Sequence, residues 1–162
     1  MAFGARSANL SVKGRALRWL SQREHSRTEL ERKLARVVED TADASAQVQI
    51  AAALDDLAAK GLINEARVAE SVLNSQGRRF GTRRLKQTLQ AKGLDASLVA
   101  STLQQARTTE LERARELWRR RFGEPAPDAA GRAKQMRFLA GRGFDGEVIR
   151  RVVQARDDDS GD

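Results

Sequence analysis

Two stretches of this chain carry cations with no compensating carboxylate. Between Glu70 and Asp95 there is no acid, and Arg78, Arg79, Arg83, Arg84, Lys86 and Lys92 fall inside. From Ala129 to Phe144 there is again none, with Arg132, Lys134, Arg137 and Arg142. Such groups suit phosphate or acidic side chains, because a planar guanidinium can donate two parallel hydrogen bonds to either. Arg119 and Arg120, in the run from Arg119 to Phe122, extend the set. Phe138, next to Arg137, could stack on a base; the alternative is packing against the neighbouring module.

Groups that would do bond chemistry are missing. The chain has no Cys and no GxxxxGK[ST] loop, so thiolate chemistry, a thiolate metal site and that phosphate cradle are excluded. Its one His, His25, directly precedes a helix cap and reads as a surface residue rather than a general base. Glu29, Glu31, Asp55 and Asp56 fit helix ends and solvated faces. The expectation is a protein that binds rather than catalyses, without cofactor or metal.

The cations must be carried by helices. Ala, Leu, Arg, Glu and Gln dominate, aromatics are few, and no segment shows sustained strand alternation. Helical spacing predicts a first helix from Leu10 to Gln22 on Ala16, Leu17, Trp19 and Leu20. Ser26 and Glu29 form a capping box for a second helix carrying Leu30 and Leu34. A third runs from about Ser45 to Lys60 on Val48, Ile50, Leu54 and Leu57. Asn64 caps a fourth with Val68, Val72 and Leu73; Thr82 caps a fifth with Leu85 and Leu89; Asp95 caps a sixth with Leu98, Val99 and Leu103. Thr109 to Glu112 reads as another capping box, opening a seventh helix that ends near Pro125 and Pro127. Two more fill 129–142 and 145–156, parted by Gly143.

These nine helices fall into three sets. A shift of fifty residues puts Gly81 on Gly131, Leu89 on Leu139, Gly93 on Gly143, Asp95 on Asp145 and Val99 on Ile149. The expected organisation is all-α: a flexible leader at 1–9, three-helix modules at 10–63, 64–107 and 108–156 in an elongated, curved array, and an acidic tail at 157–162. Units this small bury little core alone, so each leans on its neighbour. The charge is uneven. Of a net +8, the middle module carries eight basic and three acidic side chains, net +5. An anionic partner follows.

With the repeats placed, the segments REHSRTELERKL, LDDLAAKGLINEARVAES, RRFGTRRLKQTLQAKGLD and RAKQMRFLAGRGFD together resemble the RecX family, over roughly residues 15 to 153. The resemblance implies a bacterial regulator of the RecA recombinase that binds the RecA filament on DNA, lies in its groove and suppresses ATP hydrolysis, strand exchange and repressor cleavage. The absence of Cys fits a reducing cytoplasm, and the acid-free basic stretches predict weak, non-specific contact to single- and double-stranded DNA by a chain expected to be a monomer. Two other readings remain open. Residues 85–103 also resemble a helix-turn-helix, although residues 96–106 contain no Lys or Arg to enter a major groove. A helical-repeat adaptor that binds only protein is the other.

Overall fold

Side-chain caps start most helices where the sequence places them. In the computed structural model, which describes residues 10–154, Ser11 opens α1 (Val12–Leu20) by accepting from Gly14 N. Ser26 and Glu29 close a reciprocal capping box on α2 (Arg27–Ala35), and Ser45 accepts from Val48 N to open α3 (Ala46–Ala59). Asn64 Oδ1 accepts from Arg67 N at the start of α4 (Glu65–Gln76). Then come α5 (Thr82–Ala91), α6 (Ala96–Arg121), α7 (Ala129–Gly141) and α8 (Gly146–Gln154). The described residues are all-helical. The expected leader at 1–9 and acidic tail at 157–162 lie outside them.

The chain forms two compact units: residues up to Val68 with Lys92–Leu94, and Ala69–Ala91 with Asp95 onward. In the first, α3 packs on α1 and α2 around Ala16, Leu30, Leu34, Ile50, Leu54 and Leu57. Two expected core positions face water: Leu17 is 38% and Val48 59% exposed. The stripe that α3 buries is Ile50, Leu54 and Leu57, and a residue two places before Ile50 points the other way.

His25 is not the surface residue the sequence suggested. It is 1% exposed, with Nδ1 3.0 Å from Arg23 O and Nε2 2.9 Å from Lys33 Nζ. A carbonyl can only accept and an ammonium only donate, so one neutral tautomer, protonated at Nδ1, satisfies both. Burial pushes its pKa below the usual value, helped by the charges of Arg23 and Lys33. The unfolded chain therefore binds this proton more readily than the folded one. Stability is fully present above pH ~6.5 and falls as pH drops below it. The expected result is a lower urea midpoint at pH 5.5 than at pH 7.5, with His25→Gln showing little difference between the two. Equal wild-type midpoints would refute it.

In the second unit α6 packs on α5, α7 and α8, and α7 on α8. Around its later turns Ala114, Leu139, Phe144, Ile149, Val152 and Val153 form one core. Leu85, Leu89, Val99, Leu103 and Ala106, earlier in the chain, are buried as well. One correction concerns α6. The break expected near Arg107 does not occur, so eight helices stand among the described residues where nine were expected. No Gly or Pro interrupts 96–121. Thr102, Thr108 and Thr109 give their hydroxyls to carbonyls three or four residues back in the same helix. The Thr109 to Glu112 pattern is thus mid-helix, and the expected boundary at 107/108 falls inside it.

A second correction follows from the first. Thr82 is the first residue of α5 rather than its cap. Its N–H donates to Oε1 of Glu110, at 3.1 Å, while its own hydroxyl is buried without a partner among the described residues. The same Glu110 oxygen accepts from Asp145 N, at 3.2 Å, before α8. One turn on, Arg113 donates to Gly77 O and Phe80 O, both at 2.7 Å, and to Ala106 O. The acid thus serves orphan amides at two helix starts and the cation serves carbonyls past the end of α4, the pairing that the helix dipole favours.

Candidate nucleic-acid interface

The α7–α8 turn fastens to the start of α5 through its backbone. Gly81 N donates to Arg142 O at 2.8 Å and Arg83 N to Gly143 O at 3.0 Å. Gly143 has φ +84°, and a Cβ on Gly81 would lie 2.4 Å from the Phe144 backbone, so both positions favour glycine. With Thr82 N on Glu110, the first amides of α5 are committed to protein groups. Anion binding here falls to side chains.

Those side chains form a row. Phe80 has three guanidiniums over its ring: Arg84 at 4.5 Å, Arg79 at 5.6 Å and Arg142 at 5.7 Å. Arg142 also lies 5.3 Å from the centre of Phe138. Arg121 then links Phe138, at 5.8 Å, to Phe122, at 5.4 Å. The last two rings meet edge to face, 5.4 Å apart. All three rings are half-buried. None of the four arginines has a carboxylate within 4.0 Å among the described residues. Phe138 thus packs on Phe122 of its own module rather than against the neighbouring one, with Arg121 and Arg142 over its ring.

The other predicted residues divide by partner. Arg119 and Arg120 both pair with Glu116, at 3.0 and 2.9 Å. With Arg78, Glu112 and Arg113 they line a cleft of about 440 Å³ in which acids offset cations. Lys92 pairs with Glu29 in the first unit. Burial would raise the Glu29 carboxyl, but hydrogen bonds from Lys92 and Ser26 N, with Arg23, hold it at about 2. Arg83 lies 4.0 Å from Asp145 and is largely exposed, a distance at which a surface pair contributes little. Lys86 is exposed on the α5 face with Arg83, Gln87 and Gln90, as the sequence predicts. Arg132, Lys134 and Arg137 are exposed on α7.

Sequence reasoning missed Arg121 and the role of Phe80 and Phe122. The signal was present: Arg-Arg-Phe occurs at 78–80 and 120–122, and Arg-Phe at 137–138.

Tandem three-helix repeats place this chain in a class of all-helical repeat proteins, and comparison narrows the class. Residues 64–103 match the family description "RecX, second three-helix domain" and residues 108–153 match "RecX, third three-helix domain". The chain is 51% identical over 148 residues to regulatory protein RecX of Leptothrix cholodnii, covering 91% of this chain and 90% of that one. It is 44% identical to regulatory protein RecX of Herminiimonas arsenicoxydans, covering 92% and 95%. The crystal structure of RecX from Lactobacillus salivarius superposes with a TM-score of 0.70 at 23% identity, over 90% of this chain and 94% of that one. The chain belongs to the RecX family. No described helix is long and apolar enough to cross a membrane, and no described cluster of His, Asp or Glu could hold a metal ion.

Proposed function

We propose that this protein is a cytoplasmic regulator of the RecA recombinase that binds the RecA–DNA filament and suppresses its ATPase, strand exchange and repressor cleavage. Membership of the family supports a regulator. The observation that carries the reading furthest on this chain is the set of cations on α5, α7 and the turns beside them that lack close carboxylates among the described residues. Lys86, Arg132, Lys134 and Arg137 are exposed in this way, and Arg83, 4.0 Å from Asp145, is largely exposed beside them; together they give a filament, whose DNA and acidic side chains are both anionic, two similar basic helices to meet. Arg119, Arg120 and Lys92 contribute less, because each is already paired with Glu116 or Glu29.

The test is RecA ATPase on single-stranded DNA with the full chain added below and at RecA stoichiometry. Progressive inhibition is the expected result, and unchanged hydrolysis at stoichiometric addition overturns the reading. Replacing Arg83 and Lys86 together by Glu should weaken inhibition at unchanged helicity, since exposed substitutions cost under about 0.5 kcal/mol. A marked preference for one duplex sequence would instead support a helix-turn-helix reader.

A further inference from the structure

We infer that the guanidinium row on Phe80, Phe138 and Phe122 is the protein's own site for the phosphodiester backbone of a single-stranded nucleic acid, with the rings acting as positioning residues. The inference deepens the proposed function by naming where DNA is met.

Four features converge. First, Arg79, Arg84, Arg121 and Arg142 are gathered around three rings with no carboxylate near them among the described residues. Cations crowded in this way repel one another, and an anion relieves the repulsion. Second, a guanidinium lying over a ring is held by its face while its edge N–H groups remain able to fork onto phosphate oxygens. Third, the backbone holds two members of the row side by side before any ligand arrives: Arg142 O and Gly143 O accept from the start of α5, and Arg84 lies one residue beyond Arg83. That much ordering is not left to oppose binding. Fourth, the rings are half-exposed among the cations, so unstacked bases find apolar surface that a duplex would not use. An acidic peptide offers carboxylates but nothing for those rings, so single-stranded nucleic acid is favoured.

The paired arginines provide the contrast. Arg119 and Arg120 sit on the same unit, but they share Glu116, which offsets one of their two charges and occupies donors of both.

The experiment uses the full chain without RecA and measures anisotropy of a labelled oligothymidylate over a salt series. Four phosphate contacts on a single strand give a log–log salt slope of about −3 for the wild type. Arg84→Ala/Arg142→Ala should bind at least about tenfold more weakly with a slope nearer −1.5. Arg119→Ala/Arg120→Ala should lower affinity and slope less than Arg84→Ala/Arg142→Ala does, because Glu116 already pairs with both. Phe80→Leu should weaken binding several-fold at unchanged helicity, whereas Phe80→Tyr, which keeps the ring, should restore it. Wild-type affinity and slope in Arg84→Ala/Arg142→Ala, or wild-type affinity in folded Phe80→Leu, overturns the proposal. So does competition by polyglutamate as effective as that by unlabelled oligothymidylate, which assigns the row to an acidic protein. The two readings fail separately: a chain that inhibits RecA but whose row variants bind DNA normally loses only the row. A chain that leaves RecA unaffected while the row variants lose DNA loses only the RecA assignment.

Discussion

Replacing Glu110 by Ala should lower the stability of the protein by about 2 to 5 kcal/mol. The residue is 4% exposed, and its Oε1 is the acceptor for both Thr82 N and Asp145 N. Removing it strands two amides, one buried and one partly so, each costing about 1 to 3 kcal/mol when left without a partner. It also removes a counter-charge from Arg113, whose guanidinium burial pushes below its ordinary value while Glu110 pushes it up. Glu110→Gln should cost clearly less, because the amide oxygen can still accept from both. Urea unfolding followed by helicity measures this. A shift below about 0.5 kcal/mol in Glu110→Ala would show that water or backbone movement supplies the missing acceptors.

The second large effect is Leu89→Ala, expected to cost about 2 to 5 kcal/mol, since a fully buried Leu leaves a cavity that its surroundings fill only in part. The cation-bearing side of α5 should be untouched. Leu85 and Leu89 face inward, whereas Arg83, Lys86, Gln87 and Gln90 face solvent. Well below its melting temperature the variant should therefore bind oligothymidylate as the wild type does, and the urea midpoint should move alone. Loss of both at intact helicity would mean that packing beneath α5 sets the arginine positions.

How far the sequence reveals these arrangements depends on the range of the interaction. The Ser26–Glu29 capping box, the cap at Asp95, the helix start at Ser45 and the break at Gly143 are local, and each is where the sequence predicts it. The Leu89–Leu139 repeat marks two fully buried positions because helical periodicity and a fifty-residue shift agree. What misled was local ambiguity settled at long range. Thr109 to Glu112 satisfies the capping-box pattern, yet Glu110 reaches residues 28 and 35 positions away. Lys92 looked like part of an open basic run, and its partner Glu29 is 63 residues distant. His25 was misplaced for the same reason, since burial depends on what lies across from it. Glu116, three and four residues before Arg119 and Arg120, was the one missed pairing with a short-range signature.

The uninterrupted α6 also constrains how this chain can change length. Its 26 residues make a rod about 39 Å long that serves both repeats of the second unit. A loop between repeats would absorb an extra residue as slack. Here an added residue would turn everything beyond it by about 100° and advance it by about 1.5 Å. Inserted between Ala106 and Glu110, it would swing that carboxylate away from either the α5 amide or its own packed side, and carry Trp118 and Phe122 out of phase with α7. The separation of the two basic repeats is thus set by rotational phase along one helix. Tolerance for insertions is left to the irregular segments at 36–45 and 122–128, at a distance along the chain from Glu110 and Arg113.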